Sequence, residues 1–103
     1  MTNVEMIDRL SSLATELEQR VYSQTGKNSR SALAQLNRVR GLIAVYLDRA
    51  LVEDEAAYQN AIRDLGGAID TLKKADQDIQ KVSAAIALTA KVLDTAEQLA
   101  KKL

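Results

Sequence analysis

The sequence predicts an all-α protein: an antiparallel helical hairpin or coiled-coil bundle of three long helices, with a four-helix bundle as the alternative. Three observations predict this class. The chain has 103 residues with no proline and four glycines, too few turn residues for an all-β protein of this length. Aromatic residues make up only 3%, and cores of Leu, Ile, Val and Ala are typical of helix packing. Apolar residues also recur with a period of seven over much of the chain.

The first helix is expected over about residues 3–22. It opens with Thr2 and Glu5, which match the capping-box pattern in which a hydroxyl and a carboxylate bind first-turn amides. An apolar stripe follows at alternating spacings of three and four residues, as an amphipathic helix requires. The stripe consists of Ile7, Leu10, Ala14, Leu17 and Val21, with Met6 and Leu13 at its flank.

Residues 22–29 form the predicted loop, because they are polar and contain Gly26. Ser29, the last of them, is expected to cap the next helix, since a serine hydroxyl accepts hydrogen bonds from first-turn amides.

Two helices of matched length are expected to follow, over about 30–65 and 68–102. Two interleaved series with a period of seven form a heptad pattern here, interrupted only by Asp54 and Thr89. The first series is mostly large and the second mostly small, so large side chains can fill the space opposite Ala on a facing helix. The first is Ala44, Leu51, Tyr58, Leu65, Leu72, Ile79, Ile86, Leu93 and Ala100; the second is Leu47, Asp54, Ala61, Ala68, Ala75, Val82, Thr89, Ala96 and Leu103.

The corner between these helices is predicted at Gly66-Gly67. Each glycine costs about 1 kcal/mol in a helix interior relative to Ala, and glycine readily takes the left-handed conformation that ends helices. The alternative places breaks at 53–55 and 76–78, where basic residues precede acidic ones as at successive helix ends, and this gives four helices. The unbroken heptad phase also permits one continuous helix from about 54 to 102.

The composition excludes most enzyme chemistry. The chain contains neither His nor Cys, so it lacks an imidazole base, a thiolate nucleophile and the usual ligands of zinc and helical di-iron sites. The acidic clusters at 53–55 and 76–78 lack the spaced oxygen ligands of a calcium loop and are interpreted as helix-terminal charges. We therefore expect no enzymatic activity, no catalytic residue, no metal site and no cofactor.

Charge is zero overall but is distributed in blocks, and residues 20–47 hold five basic side chains and no acidic one. On a helix, Arg30, Arg38 and Arg40 spread over about 160°, and no aromatic residue lies among them for base stacking. We therefore expect no nucleic-acid partner, and we expect Arg40 to form an ion pair between helices or to extend its stem along the surface.

The longest apolar run, residues 42–47, is far shorter than the ~20 residues that span a bilayer. No membrane span is expected, and the first residues lack the pattern of a secretory signal, so we expect a cytoplasmic protein. The run is apolar nearly all round a helix, which is typical of a segment covered on several sides, either by neighbouring helices or by a partner. The possible interface residues are Arg38, Leu42, Val45, Tyr46 and Tyr58.

We expect residues 1–103 to form a single domain that is a non-catalytic protein–protein interaction module, such as a bacterial or phage-type adaptor, chaperone or inhibitor. A structural self-assembling helical protein is the alternative, and membrane-surface or nucleic-acid binding is a minor one. Because an elongated bundle of this size buries little surface, we expect a homodimer or higher oligomer. The partner is then another protein, a further copy of the chain, or both.

Overall fold

The computed structural model describes residues 4–48 and 55–102. These residues contain no strand and form four helices: α1 (Val4–Ser23), α2 (Gly26–Asp48), α3 (Glu55–Ala75) and α4 (Ile79–Ala100). The all-α bundle is confirmed. The four-helix alternative fits the structure, and the expected count of three helices is wrong.

The helices form two antiparallel hairpins that lie side by side. α1 and α4 each contact both α2 and α3, so α1 lies diagonally opposite α4. Arg20, near the end of α1, donates a hydrogen bond to the Leu72 carbonyl near the end of α3. Asn28, near the start of α2, donates to the Ile79 carbonyl at the start of α4. α1 is therefore parallel to α3 and α2 to α4, and the turns of both hairpins lie at one end of the bundle, here called the turn end.

The core of α3 and α4 follows the predicted heptad pattern. Thr89, which interrupts the pattern, is fully buried, and its hydroxyl donates to the Ala85 carbonyl at 2.9 Å. Ile79 belongs to the first series but is 71% exposed, because α4 begins at this residue. The buried members are Tyr58, Leu65, Leu72, Ile86 and Leu93 of the first series and Ala61, Ala68, Ala75, Val82, Thr89 and Ala96 of the second.

In α1 and α2 the predicted faces are rotated from the observed ones. Ala44 and Leu47, which the heptad pattern places inside, are exposed. Both helices carry apolar residues over a wider arc than one core covers, so periodicity alone does not fix which part of the arc faces inward. The core residues are Met6, Leu10, Leu13 and Leu17 of α1 and Ala32, Leu36, Val39, Leu42 and Tyr46 of α2.

The predicted corner at Gly66-Gly67 is wrong, because α3 continues through both glycines. Leu65 and Leu72 are both fully buried with the helix unbroken between them. Burial of a leucine side chain contributes about 1.5–3 kcal/mol, so the packing on either side of the glycines outweighs their low helix propensity.

The second hairpin turns at residues 76–78, as the four-helix alternative predicts. Asp76 takes the left-handed conformation at φ +50°, and its N–H donates to the Lys73 carbonyl at 3.3 Å. Asp78 caps α4, since its carboxylate accepts a hydrogen bond from the Lys81 N–H at 2.9 Å. Aspartate tolerates the left-handed region better than most residues, so this turn needs no glycine.

The four-helix alternative also predicts a break at 53–55, of which only residue 55 is among the described residues. Asp54 and Thr2, the first residue of the predicted capping box, lie outside them. α2 ends at Asp48 and α3 begins at Glu55.

The first hairpin has a much shorter connection than the loop predicted at 22–29. Only residues 24 and 25 lie between α1 and α2, and Gly26 begins α2 with φ +59°. Ser29 lies inside α2 and is not its cap. Its hydroxyl donates to the Val21 carbonyl at 2.7 Å and thereby fixes the two helices relative to each other.

A buried polar cluster joins the two hairpins at the turn end. Arg20 is 5% exposed, donates to the Leu72 carbonyl at 2.6 Å and lies 3.6 Å from the Glu16 carboxylate. Gln24 donates to the Gln77 carbonyl at 3.1 Å. Asn28 donates to the Gln24 side chain at 3.1 Å and to the Ile79 carbonyl at 2.9 Å. In this cluster, side chains of the first hairpin therefore bind backbone carbonyls of the second.

Candidate interaction surfaces

The five residues of the predicted interface do not share one surface. Tyr46 and Tyr58 are 1% and 6% exposed and lie in the core. Leu42 is also buried, whereas Val45 and Arg38 are half-buried at the surface. Neighbouring helices thus cover much of the apolar run at 42–47. An interface at these five residues stays a prediction, and Arg38 and Val45 are the two of them that a partner could contact at the surface.

The two buried tyrosines serve the packing of the core. The Tyr46 hydroxyl donates to the Ala96 carbonyl at 3.0 Å and joins α2 to α4. Burial, together with nearby Tyr58, raises the pKa of Tyr46 to about 12. Burial also raises the pKa of Tyr58, and the Glu5 charge adds to this while the Met6 backbone amide opposes it. Both hydroxyls therefore stay protonated at neutral pH.

Arg38 joins α2 to α4 at the surface. Its Nη2 donates to Asp94 Oδ1 at 2.7 Å, its Nε donates to Glu97 Oε1 at 2.8 Å, and its Nη1 donates to Gln35 Oε1 at 2.7 Å. Burial alone would lower the pKa of Arg38, but hydrogen bonds and charge from Glu97 and Asp94 outweigh it and raise the pKa. The guanidinium is therefore held charged and in one orientation, with 27% of the side chain exposed.

The ion pair between helices that was predicted for Arg40 is made by Arg38. The two residues lie about 160° apart around α2, so only one of them can face α4. Arg40 is exposed.

A surface groove runs between α2 and α4, and we call it the α2–α4 groove. Its volume is about 600 Å³. No heavy atom lies within 4 Å of the position that a side chain at Gly41 would take, so the groove is open there. The lining residues are Arg38, Gly41, Leu42, Val45, Glu97, Ala100 and Lys101.

A second surface, the α1–α2 face, carries the apolar residues of the first hairpin that the core leaves uncovered. The positions of this face recur at alternating spacings of three and four residues on each helix, and polar or charged residues occupy four of them. Val4, Leu33 and Leu47 are 56%, 44% and 69% exposed, and Ile7 and Val21 are half-buried. The face consists of Val4, Ile7, Ser11, Ala14, Glu18 and Val21 of α1 and Leu33, Asn37, Arg40, Ala44 and Leu47 of α2.

Sequence reasoning missed both the α1–α2 face and the polar cluster at the turn end. The stripes predicted for α1 and α2 contain Leu47, which is 69% exposed, and Ile7 and Val21, which are half-buried and pack against the edge of the core. The cluster had a signal as well. Arg20 follows Leu13 by seven residues and Gln24 follows Leu17 by seven, so polar residues continue the core positions of α1.

Two further findings concern the described residues as a group. None of their helices combines the length and apolar character needed to cross a membrane. In residues 4–48 and 55–102, no three acidic side chains converge as a metal site would require.

The chain matches no protein-family model, and comparison with curated proteins and with solved structures gives no match.

Proposed function

We propose that the protein is a non-catalytic protein–protein interaction module that binds an α-helix of another protein in the α2–α4 groove. The observation that carries this proposal is an apolar floor beside an arginine whose orientation is already fixed. Arginine is enriched at the residues that dominate binding energy in interfaces. Because Asp94 and Glu97 hold Arg38 in place, little side-chain freedom is left to lose when a partner binds.

The shape of the groove favours a helix as the bound element. α2 and α4 are parallel neighbours, and a third helix with apolar residues at i, i+3, i+4 and i+7 can lie along the furrow between them. The open space at Gly41 admits a large apolar side chain of the partner. The Asp94 side chain is 67% exposed and can pair with a basic residue on the partner helix. We therefore expect an amphipathic helix with at least one Lys or Arg beside its apolar stripe.

The test compares capture of partner proteins by variants of the full chain. Gly41→Leu fills the open part of the groove, and Val45→Lys places a charge on its apolar floor. Gly67→Leu is the matched control, since Gly67 is also a helical glycine with no heavy atom near its Cβ position, but on α3. Proteins captured from a host lysate are identified by mass spectrometry and then titrated in purified form by calorimetry.

We expect the wild type and Gly67→Leu to bind the purified partner alike, and Gly41→Leu and Val45→Lys to bind it at least about tenfold more weakly. Equal binding by all four proteins would place the binding surface elsewhere.

The second candidate function, a structural self-assembling protein, is favoured by the uncovered apolar residues of the α1–α2 face. Growth into filaments or rings with rising concentration, followed by light scattering and electron microscopy, would support it. The minor alternatives have tests of their own: salt-dependent retention on DNA and co-sedimentation with anionic liposomes.

A further inference from the structure

The α1–α2 face has a register that the structure fixes. The Ser29 hydroxyl and the Val21 carbonyl are 2.7 Å apart, so these residues lie at the same height along the hairpin. Both helices rise about 1.5 Å per residue in opposite directions from that contact. Ile7 and Ile43 are each fourteen residues away from it and therefore share a height. Val4 is seventeen residues from Val21 and Leu47 is eighteen from Ser29, so their heights differ by the rise of one residue.

Charge divides this face into an acidic and a basic half. α1 presents Asp8 and Glu18 on or beside the face, and α2 presents Arg30 and Arg40; all four are exposed, and Asp48, the last residue of α2, is an acidic side chain beside the basic half. In the register above, Asp8 lies within about 3 Å in height of Arg40, and Glu18 within about 3 Å of Arg30. Among the described residues, none of these four side chains forms an ion pair within the chain.

A face of this kind is complementary to itself under a two-fold rotation about an axis parallel to the helices. That rotation keeps heights and exchanges the halves, so α1 of one copy meets α2 of the other. Asp8 then faces Arg40 of the second copy, and Glu18 faces its Arg30. Val4 meets Leu47 of the second copy, so apolar residues also meet apolar ones.

The other possible two-fold axis lies across the helices and gives the opposite result. It places α1 against α1 and α2 against α2, so acidic residues meet acidic ones and basic residues meet basic ones. Juxtaposed like charges cost several kcal/mol at an interface. The charge pattern therefore favours the two-fold axis that is parallel to the helices, which we call the parallel arrangement.

We propose that two copies of the chain form a closed, parallel homodimer through their α1–α2 faces. The bundle is 40 Å long and 20 Å wide, so one long side offers about 800 Å² per copy, the area of a standard specific interface. The α2–α4 groove lies on an adjacent side of each bundle and stays open, so this proposal does not depend on the proposed function.

The first experiment reverses charge on one half of the face at a time. Arg30→Glu with Arg40→Glu makes both halves acidic, and Asp8→Lys with Glu18→Lys makes both basic. The controls, Arg63→Glu and Lys91→Glu, reverse exposed charges on α3 and α4. Sedimentation equilibrium measures the dissociation constants, and circular dichroism verifies that each variant is folded.

We expect the wild type and both controls to be dimers at tens of micromolar. Each double variant alone should dissociate at least about tenfold more readily, and an equimolar mixture of the two should regain the dimer. The wild-type dimer should also weaken as salt rises, because salt screens exposed charges. A monomeric wild type, open-ended growth with concentration, or double variants that dimerise as tightly as the wild type would overturn the proposal.

A cross-linking experiment tests the orientation. The chain has no cysteine, so Ser11→Cys on α1 and Asn37→Cys on α2 provide single reactive positions within about 3 Å of the same height. With a short bis-maleimide reagent, the parallel dimer should link Ser11→Cys to Asn37→Cys when the two variants are mixed. Self-linking by either variant in preference to the mixed pair would refute the parallel arrangement.

Discussion

The two glycines inside α3 give the sharpest test of the fold, through the double substitution Gly66→Ala and Gly67→Ala. A corner at these residues would need their conformational freedom, whereas a continuous helix is weakened by it. The structure has both in helix, and neither added Cβ would have a heavy atom within 4 Å. Nothing in the bundle therefore opposes the change.

The magnitude follows from helix propensity alone. Alanine is favoured over glycine by about 0.8–1.0 kcal/mol per residue in a helix interior, so the pair should stabilise the protein by about 2 kcal/mol. For a domain of this size about 1 kcal/mol raises the melting temperature by roughly 4–8 °C, so an increase of roughly 10 °C is expected.

Thermal and urea unfolding followed by far-ultraviolet circular dichroism measure the effect. The urea midpoint should rise with an unchanged slope, since the surface exposed on unfolding hardly changes.

Gly26→Ala is the matched control and should have the opposite sign. Gly26 has φ +59°, and its Cβ position is also free of neighbours, so only backbone conformation opposes alanine there. The left-handed conformation costs an alanine about 1 kcal/mol. Destabilisation by the Gly66 and Gly67 pair, with stabilisation by Gly26→Ala, would show that the chain turns at 66–67 and that the four-helix reading of α3 is wrong.

Three further predictions concern the turn end of the bundle and the buried Tyr46. Arg20→Ala should destabilise the protein by about 3 kcal/mol in urea unfolding, because it leaves a buried Glu16 and a carbonyl unpaired, while the double change Arg20→Met with Glu16→Leu should cost clearly less. Asp78→Ala should lower stability by about 1 kcal/mol through loss of the α4 cap, and Asp76→Gly should raise it by about 0.5–1 kcal/mol by relieving the left-handed aspartate; opposite signs would contradict the turn geometry. Burial raises the pKa of Tyr46 to about 12, so its contribution to stability is complete below the ordinary tyrosine pKa near 10 and is lost as pH rises through the folded value. Urea titrations between about pH 9 and 12 should show a weaker alkaline loss for Tyr46→Phe than for the wild type.

The sequence predicts the helical class and the packing of α3 and α4 because these two helices obey one simple rule. Large residues recur at one position of each heptad and small ones at another, which fixes the inward face of both helices. Ile62, Ile69, Val92 and Leu99, which lie outside the two series, are buried beside it. α1 and α2 carry broader apolar arcs. Which part of such an arc faces the core depends on where the other helices lie, and a single helix contains no information about that. Periodicity therefore predicts that Ile7 and Leu47 lie in the core, whereas Ile7 is half-buried against its edge and Leu47 is largely exposed.

The position of the corner differs from the predicted one for another reason. Glycine favours the left-handed conformation, but the residue that takes this conformation in the second hairpin is Asp76, whereas Gly66 and Gly67 are helical. The charge pattern around 76–78 predicts the turn correctly, because it reflects helix dipoles and caps, which exist only at helix ends.

The candidate surfaces could be predicted only in part. Arg38 and Val45 were named from the apolar run and the basic block, but the role of Arg38 depends on Asp94 and Glu97, more than fifty residues away. No local pattern connects them. The α1–α2 face likewise depends on which residues the second hairpin leaves uncovered.

The polar cluster at the turn end explains why the two hairpins associate in one orientation. Apolar packing by itself distinguishes poorly between a second hairpin in the observed direction and one turned end for end. Arg20 removes this ambiguity, because it binds the Leu72 carbonyl among the last, unpaired carbonyls of α3, where the helix dipole is negative. The reversed hairpin would present the N–H groups at the start of α3, to which a guanidinium can donate nothing. Gln24 and Asn28 add bonds to carbonyls of the same turn region, so in the observed direction each of the three side chains binds a carbonyl of the second hairpin, although the buried Nε of Arg20 has no partner. The reversed direction would bury the whole Arg20 guanidinium without such a carbonyl.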